Sequence, residues 1–203
     1  MNKGRLFVIS GPSGAGKGTI CKKVLSEHTD LNVSISVTTR PKREGEVHGE
    51  NYFFVSPEEF ERIRQEDGFL EHACVYENYY GTPKKAVLDT LSQGKDVVLE
   101  IDIQGAMSIK QAYPDGIFIY ILPPSLAELT ERIRTRGTES ESAIQLRMSK
   151  AMSEISYIDK YDYCVTNGDL ESATEVVKAI ILAEHARVPK DIYEIIDRYK
   201  EEI

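Results

Sequence analysis

The sequence predicts an α/β fold: a three-layer core with a parallel sheet flanked by helices, plus a small β-rich insert and a helical lid. Three observations lead to this prediction. Short β-branched runs alternate with amphipathic stretches, which is typical of a parallel sheet covered on both faces. The first such run leads directly into a glycine-rich turn and a helical pattern. Two longer segments interrupt the alternation.

The core elements follow one another along the chain. The predicted strands are Leu6–Ser10, Val97–Ile101, Ile117–Leu122 and Tyr163–Thr166, each short and bounded by Gly, Pro or Asp. The predicted helices are Gly16–Glu27, Lys84–Leu91, Gly105–Tyr113, Leu170–Ala186 and the C-terminal Asp191–Ile203. We therefore expect residues 1–33, 84–124 and 159–203 to form the core.

The two interruptions are predicted as separate mobile parts. Residues 34–83 are strand-like and rich in Tyr, Thr and Arg, with a short helix, Pro57–Glu66, that begins after a capping serine, Ser56. Residues 125–158 are predicted as two capped helices separated at Gly137, with several arginines nearby. A glycine hinge between capped helices predicts a lid over a site.

Bulk composition narrows the possible functions. The 203 residues are 41% hydrophobic and 29% charged, which suits a globular domain. The net charge of −8 argues against nucleic-acid or membrane-surface binding, so an anionic ligand needs a local cationic cluster. Three scattered cysteines without a C-x-x-C pair predict reduced thiols. The apolar runs are too short for a signal peptide or a membrane helix, and we expect a cytoplasmic protein.

The glycine-rich turn is the strongest functional motif. Its members are Gly11, Pro12, Ser13, Gly14, Ala15, Gly16 and Lys17. The spacing between a strand and a helix is that of a P-loop, whose backbone N–H groups and helix N-terminus bind phosphates while Lys17 supplies a positive charge. The alternative is a glycine-rich turn without a ligand, but strand, glycines, lysine and helix all occur in the required order.

One position departs from the P-loop pattern. Ser or Thr normally follows the lysine and reaches Mg²⁺, whereas here Gly18 follows and the hydroxyl comes one residue later, at Thr19. We expect Mg²⁺ to be held mostly by substrate phosphates and water, with Thr19 as a provisional ligand. GTPase-type switch chemistry, which depends on that hydroxyl, is disfavoured.

Two carboxylates end the second core strand. Glu100 and Asp102 share strand parity, so both side chains can point to one face. Ligands bind at the carboxyl ends of parallel strands. Solvated strand-end carboxylates are the alternative interpretation, but a neighbouring P-loop favours a role in positioning Mg²⁺ and phosphates.

The insert offers a second anion site. The segment Ser36–Arg43 contains hydroxyl and guanidinium donors, and its arginines suit an acceptor phosphate. Tyr52, Tyr79 and Tyr80 could add hydroxyl donors. In isolation the basic segment could equally be a solvated turn.

Glu71 and Thr82 suggest which base is bound. A carboxylate can accept hydrogen bonds from both N1–H and the 2-amino group of guanine, a donor pair that adenine lacks. The Thr82 hydroxyl could donate to guanine O6. Taken alone, Glu71 is more often a surface carboxylate, so this interpretation needs support from elsewhere in the chain.

The predicted lid carries arginines on one helical face. Arg132 and Arg136 lie about one turn apart. Arginine clamps stabilise the charge that spreads over equatorial oxygens during phosphoryl transfer. Salt-bridged surface arginines are the alternative.

Several blocks in order together resemble the guanylate kinase family. They are Ser36–Arg43, Tyr52–Val55, Phe69–Glu71, Asn78–Thr82, Leu99–Gly105 and Arg134–Glu139. The resemblance runs from Phe7 to about Ala186, nearly the whole chain. It implies a Mg²⁺-dependent reaction, ATP + GMP ⇌ ADP + GDP, an essential step in guanine nucleotide supply.

The resemblance also implies residue roles. The residues implied to hold the GMP phosphate are Arg40, Arg43, Tyr52 and Tyr80. The residues implied to read guanine are Ser36, Glu71 and Thr82, with Glu100 and Asp102 near the acceptor and the metal.

On the donor side, the resemblance implies that Gly11–Thr19, with Lys17, cradles the ATP phosphates. Arg132, Arg136 and Arg147 would come from the lid to the transferring phosphoryl, while Arg136 and Asn167 would lie at the adenine. The implied catalytic set is Lys17, Arg40, Asp102, Arg132, Arg136 and Arg147.

Two other functions remain open at this point. Another nucleoside monophosphate kinase, such as an adenylate kinase, would also suit the P-loop, although Glu71 and Thr82 match guanine. Non-catalytic guanylate-kinase-like modules bind phosphopeptides, but they generally lack an intact ATP loop. The sequence leaves the oligomeric state undetermined, and dGMP is an expected second acceptor.

Overall fold

The structure is a computed structural model that describes residues 3–28, 30–75, 77–135, 141–188 and 192–202. Its strands are β1 (Leu6–Ser10), β2 (Leu31–Val33), β3 (Val37–Thr38), β4 (Phe53–Phe54), β5 (Phe69–Val75), β6 (Asn78–Pro83), β7 (Asp96–Glu100), β8 (Ile117–Leu122) and β9 (Tyr163–Thr166). Its helices are α1 (Lys17–Glu27), α2 (Pro57–Gln65), α3 (Lys84–Ser92), α4 (Ile103–Ala112), α5 (Leu126–Thr135), α6 (Glu141–Ile155), α7 (Leu170–His185) and α8 (Ile192–Glu201), with a 3₁₀ turn at Ile158–Lys160.

The core sheet has the strand order β2-β7-β1-β8-β9, and its neighbours pair in parallel. Strand β1 lies at its centre and is buried along its whole length. Phe7 and Ile9 pack in one apolar cluster with side chains of α1 and α7. Leu6 and Val8 point the other way, into a cluster with α3 and α4. The predicted three-layer α/β core is therefore confirmed.

A separate mixed sheet, in the order β4-β3-β6-β5, forms the insert. Strand β6 pairs antiparallel with both β3 and β5, while β3 and β4 pair in parallel. One face packs on α2, where the rings of Phe60 and Phe69 stack with centroids 4.5 Å apart. The Ser56 hydroxyl accepts from the Glu59 N–H, as the capping sequence predicts. The other face is free to line a site.

Helices α5 and α6 pack on each other through Leu129, Ile133, Ile144 and Ala151. The Ser125 hydroxyl accepts from the Glu128 N–H before α5. The predicted hinge at Gly137 lies outside the described residues. Within the described ranges, no helix has the length and apolar character needed to cross a membrane.

Small differences from the predicted elements have local causes. Helix α4 begins at Ile103, two residues before the predicted start, because the Asp102 carboxylate accepts from the Gly105 N–H at 2.8 Å and caps it. Strand β7 runs from Asp96 to Glu100, one residue earlier than predicted. Strand β2 was missed, since its three residues are shorter than a recognisable alternation.

Candidate active site

A cavity of about 280 Å³ opens between the core, the insert and α6. Its polar lining comes from all three parts: Ser13, Lys17, Ser36, Arg43, Tyr52, Glu71, Tyr80, Glu100, Asp102, Arg147, Lys150 and Glu154. The rest of the lining comes from Gly11, Gly14, Gly16, Gly18, Ala73, Val75 and Ile101. Most of the polar residues predicted from sequence therefore face one space.

The glycines of the loop after β1 are required by backbone and neighbours. Gly11 has φ 146°, and a Cβ there would lie 2.3 Å from the Ile121 carbonyl oxygen. Gly16 has φ 94°, and its Cβ would lie 2.2 Å from Nδ2 of Asn167. That amide donates to the carbonyl of Ala15 at 2.8 Å. Asn167 thus holds the loop in shape, a contact the sequence did not predict.

Lys17 is drawn back onto the loop. Its Nζ donates to the carbonyl oxygens of Gly11 at 2.6 Å and Pro12 at 3.1 Å. Burial lowers the pKa of Lys17, while the nearby carboxylates of Glu100, Glu154 and Asp102 oppose that shift. The ammonium group is therefore held by loop carbonyls, next to the position expected for the phosphates.

One face of the insert sheet carries the predicted base-reading residues. Glu71 pairs across the strands with Thr82, and Ala73 with Tyr80. Alternation sends Glu71, Ala73 and Val75 to the cavity, whereas the irregularity between Phe69 and Glu71 sends the Phe69 ring to α2. The sheet thus presents one polar and one apolar face.

Glu71 is only 7% exposed, and the Thr82 hydroxyl donates to its Oε1 at 2.7 Å. Burial raises the pKa of Glu71 to about 7; the Thr82 hydrogen bond opposes this shift and Asp102 adds to it. A Cβ on Gly105 would lie 2.8 Å from its Oε2, so α4 approaches the carboxylate closely. A buried, oriented carboxyl group suits recognition of paired N–H donors.

The predicted phosphate-binding residues of the insert are assembled around Tyr52. Its ring lies 6.0 Å from that of Tyr80, and the Arg40 guanidinium lies 5.5 Å from its centre. Arg40 also pairs with Glu46 at 2.7 Å, and the other oxygen of Glu46 accepts from the Arg43 N–H at 2.8 Å. The Arg43 side chain is exposed and lines the cavity, whereas the Arg40 side chain is only 10% exposed and is not part of the cavity lining.

Helices α5 and α6 contact the core through arginines. Arg147 donates to the Ser13 hydroxyl at 2.9 Å. Arg132 donates to the Asn167 carbonyl at 2.9 Å and pairs with Glu128 at 3.0 Å. Arg136, assigned by resemblance to the adenine and the transferring phosphoryl, lies outside the described residues.

Two polar cavity residues, Lys150 and Glu154, are not predicted from the sequence. Lys150 and Glu154 follow Arg147 by three and seven positions on α6, so they share its face, and they lie 3.7 Å apart. Burial raises the pKa of Glu154, while Lys150 and Lys17 oppose that shift. Their helical spacing from Arg147 is the sequence signal that places both residues on the same face of α6.

The comparisons with known proteins point to one family. The guanylate kinase family model matches residues 3–184. A guanylate kinase of Caldanaerobacter subterraneus subsp. tengcongensis is 58% identical over 94% of each chain. Another from Clostridioides difficile is 49% identical over 100% of this chain and 99% of its own. The crystal structure of guanylate kinase from Anaplasma phagocytophilum superposes with a TM-score of 0.78 and 34% identity, covering 92% and 88% of the two chains.

Proposed function

The chain belongs to the guanylate kinase family, and from that membership we propose how its cavity binds two nucleotides and transfers a phosphoryl group between them. The protein is an ATP:GMP phosphotransferase, which converts ATP and GMP reversibly to ADP and GDP. The observation that carries the residue-level proposal is the position of Glu71, which lines the same cavity as the phosphate loop and is held there by a hydrogen bond from the buried Thr82.

We assign GMP to the insert side of the cavity. Glu71 accepts from guanine N1–H and the 2-amino group, and Ser36 lines the same wall. Thr82 holds Glu71, because its hydroxyl proton is already committed to that carboxylate. The residues proposed for the GMP phosphate are Arg40, Arg43, Tyr52 and Tyr80.

We assign ATP to the loop Gly11–Thr19. Its N–H groups and the N-terminus of α1 cradle the phosphates. Lys17 leaves the carbonyls of Gly11 and Pro12 to reach the β- and γ-phosphates, an exchange of one set of oxygen acceptors for another. Arg136 and Asn167 are proposed at the adenine, with Asn167 also holding the loop.

Transfer requires no covalently modified side chain, because the acceptor phosphate is itself the nucleophile. Catalysis is then positioning and charge neutralisation. Arg40 orients the acceptor, and Lys17, Arg132, Arg136 and Arg147 stabilise the transferring group. Arg147 is the best supported of the lid arginines, since it already contacts Ser13 of the loop.

The family's reaction uses Mg²⁺, and the cavity suits a metal held mainly through phosphates and water. Within the described ranges, no three His, Cys, Asp or Glu side chains gather closely enough to hold a metal ion. Glu100 and Asp102 line the cavity at the carboxyl end of β7, and the missing side chain of Gly18 leaves room for the Glu100 carboxylate. The chemistry that Mg²⁺ would supply at this site is neutralisation of phosphate charge. Thr19 is exposed and remains only a provisional ligand.

Closure links binding to chemistry. We propose that residues 34–83, as the GMP-binding insert, and residues 125–158, as the lid, move against the core formed by 1–33, 84–124 and 159–203. Closure over both nucleotides expels water and so suppresses hydrolysis of ATP. Because ATP must be protected until the acceptor is bound, we expect closure to depend on GMP. We further propose a cytoplasmic enzyme that accepts dGMP and binds neither nucleic acid nor membranes, in keeping with its net charge of −8.

A coupled assay for ADP formation, with GMP present or absent, tests the proposal. We expect turnover that requires GMP, with little ADP formed from ATP alone. GMP binding without GMP-dependent ADP formation would instead indicate a non-catalytic binding module, and turnover with AMP would indicate an adenylate kinase.

A further inference from the structure

The backbone conformation at Gly18 does not require a glycine. The residue lies in the first turn of α1, and among the described glycines it is not one of those with positive φ. Alanine is favoured over glycine by about 1 kcal/mol in a helix. The reason for a glycine must therefore lie in what surrounds the position.

The neighbour is the Glu100 carboxylate. A Cβ built on Gly18 would lie 3.1 Å from Oε1 and 3.3 Å from Oε2 of Glu100. These distances are shorter than an ordinary contact, so any side chain at position 18 would push the carboxylate away. The carboxylate thus occupies the space that a side chain after the loop lysine would otherwise take.

The fold explains why Glu100 reaches this place. Strands β1 and β7 are neighbours, and Glu100 pairs in register with Ile9, shortly before the loop begins. Its side chain lines the cavity beside Lys17 and Gly18. In the P-loop pattern the residue after the lysine supplies a hydroxyl directed at Mg²⁺. Here a carboxylate from the adjacent strand lies directly beside that position.

We propose that Gly18 and Glu100 form one coupled unit, in which the Glu100 carboxylate replaces the missing loop hydroxyl in orienting Mg²⁺-bound ATP and Gly18 provides the space for it. This inference rests on the proposed function, because it assumes ATP in the loop. It makes Glu100 a positioning residue on the donor side, rather than one of the residues that hold GMP.

The test uses four variants of the full chain: Glu100→Gln, Glu100→Asp, Gly18→Ser and the double variant Gly18→Ser/Glu100→Asp. Glu100→Gln keeps the size and removes the charge. Glu100→Asp shortens the side chain and leaves room for a side chain at position 18. Gly168→Ala is the control, because its Cβ would meet only Pro124 at 3.9 Å, an ordinary contact. Thermal unfolding establishes that each variant is folded.

Calorimetric titration with ATP, with and without Mg²⁺ and with GMP absent, gives the readout. We expect Glu100→Gln and Gly18→Ser each to reduce the Mg²⁺-dependent gain in ATP affinity by about tenfold. Binding of ATP without Mg²⁺ should change little. The double variant should recover the gain to within about threefold of the parent, because the hydroxyl and the shorter carboxylate then share the space.

Two results would overturn the inference. One is a full Mg²⁺-dependent gain in Glu100→Gln, which would leave the carboxylate only a space-filling role. The other is additive losses in the double variant, which would show that the two positions are independent. Neither result bears on GMP-dependent ADP formation by the parent chain, so failure of the inference and failure of the proposed function can be told apart.

Discussion

The Thr82 hydroxyl donates a 2.7 Å hydrogen bond to Oε1 of Glu71, and the two residues face each other across β6 and β5. Both side chains are buried. The hydrogen bond fixes the carboxyl plane, while Gly105 leaves room for the second oxygen. The carboxylate that we propose reads the base is therefore oriented by the fold itself.

Replacing Glu71 should impair selection of guanine more than transfer. An amide in Glu71→Gln accepts at one atom only and sets its NH₂ group against a guanine donor. We expect kcat/KM for GMP to fall about a hundredfold, roughly 2–3 kcal/mol, with ATP binding unchanged. Steady-state kinetics checks this, with the exposed Glu44→Gln as control. Equal losses for GMP and ATP binding would contradict a base-reading role.

The raised pKa of Glu71 predicts that GMP binds more weakly in acid. With a pKa of about 7 in the free protein, the carboxyl group is increasingly protonated below that pH and loses one of its two acceptor oxygens. GMP affinity should therefore fall as pH decreases from about 8 to about 6. Calorimetry across this range checks it, and a flat profile in Glu71→Gln would assign the effect to this group.

The same shift predicts a cost in stability. The folded pKa of Glu71 lies above its ordinary value of 4.5, so the folded state binds the proton more tightly than the unfolded state. The contribution of Glu71 to the free energy of unfolding is therefore present at low pH and is lost as the pH rises from about 4.5 to about 7. Glu71→Gln should therefore raise the free energy of unfolding at about pH 8, by at most about 3 kcal/mol. Urea titrations at two pH values measure the difference, and no gain at the higher pH would contradict it.

Replacing Lys17 should slow phosphoryl transfer without weakening GMP binding. Lys17→Ala removes the charge that the loop stores beside the phosphate site. We expect kcat to fall at least about a hundredfold, with the dissociation constant for GMP nearly unchanged. The exposed Lys22→Ala on the same helix is the matched control. Comparable loss in both variants would point to net charge instead of position.

Arg147→Ala tests the contact between lid and loop. Its guanidinium reaches Ser13, so we expect kcat to fall about a hundredfold or more, with a smaller change in ATP affinity. The exposed Arg187→Ala serves as control. A loss confined to the KM for ATP would make Arg147 a binding residue without a role in the transition state.

Much of the fold followed from the sequence because its signals are local. Leu6–Ser10, Ile117–Leu122 and Tyr163–Thr166 are strands with the predicted bounds, since each is a compact apolar run between breakers. The phosphate loop was equally local. The start of α4 is not predicted, because an aspartate such as Asp102 indicates a ligand site as readily as a helix cap.

The site contacts could not be predicted in the same way, because they join distant segments. The hydrogen bond from Thr82 to Glu71 depends on the register of β5 and β6. The hydrogen bond from Asn167 to the Ala15 carbonyl depends on how β9 packs beside the loop. The sequence predicts that the Thr82 hydroxyl donates to guanine O6, whereas in the structure it donates to Glu71. The space above Gly18 is filled by Glu100, a residue that sequence spacing could not bring beside it.

An acceptor panel of GMP, dGMP, AMP, UMP and dTMP, measured by ADP formation with the parent chain, tests the central claim most directly. The site predicts turnover with GMP and dGMP and a kcat/KM for GMP at least about 10⁴-fold above that for AMP, because AMP leaves Glu71 without its donor pair. AMP equal to or better than GMP, or ADP formation that does not depend on the acceptor, would contradict it.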